Sequence, residues 1–489
     1  MKKVIIIGSG FSSIASACYM AQAGFQVTVL EKNEQVGGRA SLLEIDGFKF
    51  DMGPSWYWMP DIFERFFGDF GKKVSDYYSL EKLSPGYRVY FGKNDFVDIS
   101  DRPEEIIDTF EKIEKGSGKH LKDFMKKAKA NYEIAIQDLV YNPGKSILEL
   151  VSVETAKRLP LFVQNISETV RKNIKNPKLR SILEFPVLFL GAKPNNTPAF
   201  YNFMNHADFG LGTWYPKGGF NAVAKGMQKL AEELGVTFLV NEEVTAIRTE
   251  GNSAKEVITK NGAFEGDIII SGADYAHTET LLKSTEQNYT PDYWQKKTFA
   301  PSSFLYYVAF DRKVPQLQHH NLFFDTDFER HAEEIYDTKT LPEKPLFYAN
   351  FSSKTDADLC PEGKEVGFFL IPVAVDLKDS EEIHDRYFEI IMDRIEKNTG
   401  ENLRDSVIFK KSFGVQDFKD RYHSCRGNAY GLANTLLQTS VLRPSINNKK
   451  IKNLFYTGQL TVPGPGVPPA LISGKVVTEY ILKNKHQLF

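Results

Sequence analysis

The feature that most constrains this chain is the corner formed by its opening residues. Val4-Ile5-Ile6-Ile7 is a β-branched run suited to a strand buried on both faces of a parallel sheet. It runs into Gly8-Ser9-Gly10-Phe11-Ser12-Ser13 and then into a small-residue helical stretch from Ile14 to Ala23. Strand, tight turn and helix in that order make the dinucleotide-binding corner of a Rossmann-like α/β fold. Gly8 permits the turn and Gly10 lets backbone approach a pyrophosphate. The helix start adds free N–H groups at the positive end of its dipole. Ser12 and Ser13 belong to the same contact; Ser13 stands in place of a third glycine and is small enough to keep helix and strand close.

A second strand is predicted over Gln26 to Leu30, leading into Glu31 and Lys32. At about 20 residues past the glycines, a carboxylate accepts hydrogen bonds from ribose hydroxyls, and an acid there favours an unphosphorylated ribose. An ordinary strand–helix turn explains the two glycines alone, but not Glu31 as well.

A length of 489 residues suggests two or three structural units at roughly 150 residues each. With 61 Lys+Arg against 63 Asp+Glu and no long basic run, nucleic acid is not an expected partner. Cys18, Cys360 and Cys425 are too far apart for a redox pair or a clustered metal site, so we expect reduced thiols and no metal. The N-terminus is apolar only from Val4 to Ile7, short of a signal-peptide core. No run approaches the roughly 18 apolar residues that span a bilayer. The expectation is a cytoplasmic protein whose membrane contact, at the inner face of the cell membrane, is peripheral. The 37 Phe, 22 Tyr and 4 Trp ask for large apolar surfaces or cavities as well as a core.

Val36-Gly37-Gly38-Arg39-Ala40 follows Glu31 directly, and Phe50-Asp51-Met52-Gly53-Pro54-Ser55 comes after it. With these segments the chain resembles the superfamily of flavin-containing amine oxidases and carotenoid desaturases. The resemblance implies that Gly38 and Arg39 run beside an FAD diphosphate, and that Gly53, Pro54 and Ser55 belong to the same cofactor site. The residues suit that role: paired glycines let backbone come close, and arginine offers planar donors to phosphate.

Amphipathic helices are predicted over Glu104 to Lys115, Lys119 to Tyr132 and Val153 to Val163. The run from Gly212 to Gly219 breaks structure, a helix follows from Asn221 to Leu234, and strands are expected over Val236 to Val240 and Asp267 to Ser271. The resemblance places Val244 against the adenine. Residues 303 to 312, 345 to 352 and 365 to 375 have strand composition and fit a substrate-domain sheet. With no internal repeat and no low-complexity linker, the domains are expected to interleave. Residues 1–75, 215–280 and 445–489 form the FAD-binding domain, 76–100 and 281–444 the substrate-binding domain, and 101–214 a helical subdomain facing the tunnel and membrane.

Near the C-terminus an apolar run ends in Tyr456-Thr457-Gly458, then comes Gln459-Leu460-Thr461-Val462-Pro463-Gly464-Pro465-Gly466-Val467-Pro468, and a helix is predicted from Leu471 to Lys483. Here the resemblance narrows to bacterial-type phytoene desaturases, whose signature Gly458, Thr461, Pro463, Gly464, Gly466 and Val467 match. It implies that the isoalloxazine and ribityl chain sit at this helix start, by Gly458, Gly466, Val467 and Pro468. Gln459-Leu460, Val462 and Pro465 depart from the signature beside the flavin, so bond position or acceptor chemistry can differ. The segments 51–60 and 185–192 look more like phytoene desaturases than like enzymes acting later on hydroxylated carotenoids.

The resemblance thus implies an α/β fold: a Rossmann-like, two-dinucleotide-motif FAD domain interleaved with a mixed-sheet substrate domain and a helical membrane-facing subdomain. The implied activity is phytoene desaturation towards lycopene, with a quinone or oxygen reoxidising the flavin. A later carotenoid 3,4-desaturase and a C30 desaturase share every motif; an FAD amine oxidase, a redox-neutral isomerase and a carotenoid-binding protein are the other readings. A polyene without charge must be held by burial, at about 0.8 kcal/mol per CH₂, in a long apolar tunnel. Trp56, Tyr57, Trp58, Ile62, Phe63, Phe66, Phe67 and Phe70 are candidates for tunnel or membrane contact, with core packing the equal alternative. For the proton acceptor, Glu149 within Ile147-Leu148-Glu149-Leu150 is the candidate, against a plain surface glutamate.

Overall fold

The computed structural model describes residues 1–488 apart from 138, 147, 148, 150–160, 162, 163 and 436. The predicted helix over Val153 to Val163 therefore lies, but for Leu161, outside the described residues. Five parallel strands form one sheet in the order Leu454–Tyr456, Ile268–Ser271, Lys3–Ile7, Gln26–Leu30, Thr237–Leu239. The uniformly apolar Val4 to Ile7 run has a simple cause. Val4 and Ile6 join the core beneath helix Phe11–Gln22, while Ile5 and Ile7 join a different core with Val244 and Val257 from a three-stranded antiparallel sheet.

Helix Phe11–Gln22 begins earlier than its small-residue pattern suggested, because Gly10 is extended and ends the turn. The C-terminal helix, Val467–Lys483, also starts earlier than predicted: Pro468 and Pro469 fall in its first turn, where a missing N–H costs no hydrogen bond. The two helices pack backbone to backbone, and a Cβ on Gly474 would stand 2.5 Å from the Ser12 carbonyl oxygen.

A seven-stranded mixed sheet runs Val407–Phe413, Ser302–Phe310, Glu365–Val373, Phe347–Asn350, His320–Phe323, Tyr87–Gly92, Asp95–Ile99. Every residue of its strand Ser302–Phe310 is buried. Phe304, Tyr306 and Val308 face helix Glu381–Thr399, and Leu305, Tyr307 and Ala309 face inward toward the first sheet's core. Helices Pro103–Ile113, Ser117–Gln137 and Pro177–Glu184 make a further layer. Tyr57 stacks on Phe63 at 4.3 Å, and Ile62, Phe63, Phe66 and Phe67 are buried core residues of helix Pro60–Gly68.

Candidate cofactor and substrate site

A cavity of about 750 Å³ is bounded by residues of both sheets and of the helical layer. One end is built on the glycine corner. The first intrahelical bond runs from the Ile14 N–H to the Gly10 carbonyl at 3.0 Å, so the N–H groups of Phe11, Ser12 and Ser13 precede it. Gly8 holds φ at +85° with the Ala273 nitrogen 3.3 Å from any added Cβ, whereas a Cβ on Gly10 meets nothing within 4 Å. Gly8 thus serves the turn, and Gly10 keeps space open on the cavity side. Ser12 lines the cavity. The Ser13 side chain does not: it is fully buried against Gly272, whose added Cβ would lie 2.0 Å from Ser13 Oγ. Its small size serves helix–strand packing, as expected of a residue in the third glycine's place, and its N–H remains among those at the helix start.

Glu31 closes the second strand and is 5% exposed. Its Oε2 accepts from the Ser9 N–H at 2.8 Å and Ser9 Oγ–H at 2.6 Å, and its Oε1 from the Asn33 N–H at 2.8 Å and Asn33 Nδ2 at 2.9 Å. Lys32 and Val244 line the cavity beside it, with the Lys32 amine donating to the Asp420 carbonyl. His277 and His423 stack there at 4.0 Å, and burial together with His423 pushes His277 down to about 4. Neither histidine carried any local sequence signal.

Gly38, Arg39 and Gly53 form successive layers over Gly10. A Cβ on Gly38 would stand 3.3 Å from Gly10 Cα, and one on Gly53 would stand 2.8 Å from the Arg39 carbonyl oxygen. The Arg39 guanidinium donates to Ser424 Oγ at 2.6 Å and the Asn428 carbonyl at 3.3 Å, and lies 5.1 Å from the Tyr422 ring centre. Its Nε is buried with no partner, and burial lowers its pKa. A cation with a spare donor beside a helix N-terminus and a glycine cradle fits an anionic diphosphate.

Gly458, Gly466, Val467 and Pro468 line the cavity at the C-terminal helix start. Because Pro468 and Pro469 have no N–H, Val467 supplies the free donor at this positive helix end. The loop before it is held by Arg443, which is 5% exposed and donates to the carbonyls of Gln459 and Thr461 at 2.7 Å each and to Asn434 Oδ1 at 2.6 Å. Burial lowers this guanidinium to about 10. Gln459, a departure from the signature, accepts from Arg39 at 3.0 Å and donates to the Tyr430 carbonyl at 3.2 Å once its amide is oriented to satisfy both ends.

The remaining wall is apolar, with Trp56, Trp58, Phe185, Leu322, Phe324 and Phe347 among its residues. Trp56 stacks on His320 at 4.3 Å and 10°. Pro54 and Ser55 stand between this wall and Gly53, with Ser55 Oγ accepting from the Tyr348 hydroxyl at 3.0 Å. His331 also lines the cavity, but its Nδ1 accepts from the Leu346 N–H and its Nε2 meets the Pro372 carbonyl, each at 3.0 Å. Burial pushes it down to about 4, so it stays neutral. Glu149 does not line the cavity. Its carboxylate accepts N–H groups of Gly144 at 2.8 Å, Lys145 at 2.9 Å and Ser146 at 3.1 Å, capping its own turn. The expectation of an apolar carboxylate poised as a base is corrected on that ground. Among the described residues there is no cluster of His, Cys, Asp or Glu arranged to hold a metal, and no helix long and apolar enough to cross a membrane.

A parallel dinucleotide sheet opening onto a cavity shared with an apolar-walled second sheet defines a flavoprotein oxidoreductase that uses FAD. The model of the flavin-containing amine oxidoreductase family matches residues 12–482, and the chain belongs to that family. It is 42% identical to a carotenoid 3,4-desaturase of Haloarcula japonica, over 98% of each chain. It is 29% identical to a zeta-carotene-forming phytoene desaturase of Myxococcus xanthus, over 99% of this chain and 95% of that one. In fold it is similar to an oxidoreductase from Methanosarcina mazei, with TM-score 0.61 and 18% identity over 98% of this chain and all of that one.

Proposed function

We propose that this chain is an FAD-dependent carotenoid desaturase, removing vicinal hydrogens from an acyclic polyene. The observation that carries the reading is the continuity of the cavity: a diphosphate cradle at one end and a wall of Trp, Phe and Leu at the other, within about 750 Å³. A bound FAD supplies the hydride acceptor. The chain's own residues do the rest. Glu31, Arg39 and the Gly10 helix start hold the nucleotide, the Val467 N–H faces the flavin end, and the aromatic wall excludes water and holds the polyene by burial. Aromatic faces such as Trp56 ease positive charge as the hydride leaves.

The greater identity to the carotenoid 3,4-desaturase, 42% against 29%, favours a later acyclic carotenoid as substrate, with phytoene the second reading. We further propose that the cavity opens toward a membrane surface near Leu437 and Leu442, which are 79% and 50% exposed beside the cavity-lining Ser440 and Val441. FAD-loaded protein is mixed with liposomes carrying phytoene or later acyclic carotenoids, under air or with a quinone. A red-shifted polyene band from a later carotenoid alone supports the 3,4 reading, and new bands from phytoene support the second. Silence with all of them, in both acceptors, would sink the desaturase.

A further inference from the structure

Desaturation releases a proton as well as a hydride, and the apolar end of the cavity offers no free base among the groups above. Glu149 caps its own turn, and both nitrogens of His331 are engaged. Ser55 lines the large cavity and also a small one of about 20 Å³, whose further polar lining is Asp51, Tyr215, Asn350 and Ser352. That volume suits one water, which takes two to four polar partners.

On the large-cavity side, Ser55 Oγ is held by the Tyr348 hydroxyl at 3.0 Å, and Tyr348 is itself 2.6 Å from His320 Nδ1. On the far side, the two Asp51 oxygens accept the N–H groups of Phe220 at 2.8 Å and Asn221 at 3.0 Å, at the start of helix Gly219–Glu233. Each oxygen keeps a lone pair for another donor.

We propose that a water in the small cavity joins Ser55 to Asp51, and that this chain of groups carries the desaturation proton out of the polyene cavity. The inference rests on the desaturase reading. Loss of the hydride to a bound FAD would leave a polyenyl cation that takes the hydride back unless its neighbouring C–H, acidic enough for a neutral hydroxyl to accept the proton, gives that proton up, so net flavin reduction would wait on proton removal. That C–H bond breaks, and its electron pair becomes the second bond of the new C=C. The proton adds to Ser55 Oγ, the Ser55 hydroxyl proton passes to the water, and a water proton passes to Asp51. The two electrons of the hydride would be held by the bound FAD, and a carboxylate has become a carboxylic acid.

Asp51 is suited to the end of such a path. As a residue it keeps intermediate exposure, while enclosure of its carboxyl raises it to about 7. The titratable groups facing it are Tyr215, Tyr307 and Tyr348, with Asp356 on the other side of Tyr215. It acts through Ser55 and the water, so it is a positioning and proton-accepting residue rather than one that touches the polyene.

The test follows flavin bleaching in a single turnover on carotenoid liposomes, from about pH 5 to about pH 9, beside an infrared titration of the FAD-free protein. In the wild type the bleaching rate should rise about tenfold per pH unit below neutrality and level off above it, as Asp51 ionises. Asp51→Asn should be slower by about a hundredfold and flat with pH, and should lose a carboxyl C=O band that titrates near neutrality in the wild type. Ser55→Ala should be slowed while keeping that band and its thermal midpoint. Should Asp51→Asn not fold for want of its helix cap, Ser55→Ala and the wild-type infrared band decide in its place. Bleaching in the wild type with an unchanged rate and profile in the folded variants overturns the relay alone. Silence of the wild type overturns the desaturase reading and the relay with it.

Discussion

The carboxylate of Glu31 takes both hydrogens that Ser9 can give, from the N–H at 2.8 Å and from Oγ–H at 2.6 Å. With Asn33 filling the other oxygen, the acid at the end of the second strand is tied into the glycine corner before any ribose reaches it. On the proposed reading, a ribose diol binds by exchange, most simply by displacing the rotatable Ser9 hydroxyl. Glu31→Gln leaves at least one of these donors facing an amide N–H. We expect FAD binding to weaken by about 1–3 kcal/mol, roughly ten- to a hundredfold, in a flavin fluorescence titration. Unchanged affinity would mean that the ribose does not use this carboxylate.

The two corner glycines should fail in different ways. At Gly8, φ of +85° and the 3.3 Å approach of Ala273 make Gly8→Ala a folding defect of about 1 kcal/mol or more, visible in Tm without FAD. At Gly10 the protein leaves the added methyl free space, so Gly10→Ala should hold its Tm and lose FAD, because the methyl stands where backbone must approach the diphosphate. Equal Tm losses in both variants would contradict this division of labour.

Arg443 should be structural to the flavin-facing loop. Its guanidinium reaches the Gln459, Thr461, Leu432 and Gln438 carbonyls and Asn434, geometry that a lysine's single ammonium cannot reproduce. At about 1.5–3 kcal/mol per hydrogen bond from a charged donor, Arg443→Leu should lower stability by at least about 3 kcal/mol and strip the flavin. Arg443→Lys should recover only part of this in denaturant unfolding. Full rescue by lysine would show that charge alone matters there.

What could be read in the sequence was what local chemistry dictates. The β-branched run and the glycine corner form a strand, a turn and a helix start, with Glu31 at the strand's end, because each residue's local role is set by its immediate neighbours; the start of the last helix at Val467, ahead of the expected Leu471, was not legible in that way. Arg443, His277 and His423 gave no such signal. Their partners stand apart from them in sequence, His423 stacking on His277 and Arg443 bonding the Gln459 carbonyl, so no local pattern shows them. Glu149 misled for a related reason: apolar neighbours do not say which way a carboxylate turns, and this one turns back onto three N–H groups of its own loop. At Ser13 the size of the side chain was the legible property, and Gly272 lies directly against it.

His331 makes acid sensitivity a property of the fold. Burial lowers its pKa from the ordinary 6.5 to about 4, so the unfolded chain takes up its proton first as the pH falls. Its stabilising share is fully present above about pH 6.5 and is lost toward about pH 4, a difference of up to about 3 kcal/mol. His331→Gln should therefore flatten the fall of Tm with pH across that window. A wild-type slope in the variant would assign the acid loss to other groups, of which His277 and His319 shift in the same direction.

On the proposed reading, replacing Trp56 separates holding the polyene from easing its charge. It lies flat on His320 at 4.3 Å and 10°, and burial keeps that imidazole neutral, so the pair presents an uncharged aromatic plate at the cavity wall. Trp56→Leu preserves apolar contact but removes the π face, and a cation over such a face is worth about 0.5–2 kcal/mol. Because that term exists only as positive charge develops, it should appear in kcat and not in KM. The expected result is a kcat lowered about two- to thirtyfold at nearly constant KM for the carotenoid. A rise in KM at constant kcat would instead make Trp56 a wall that only binds.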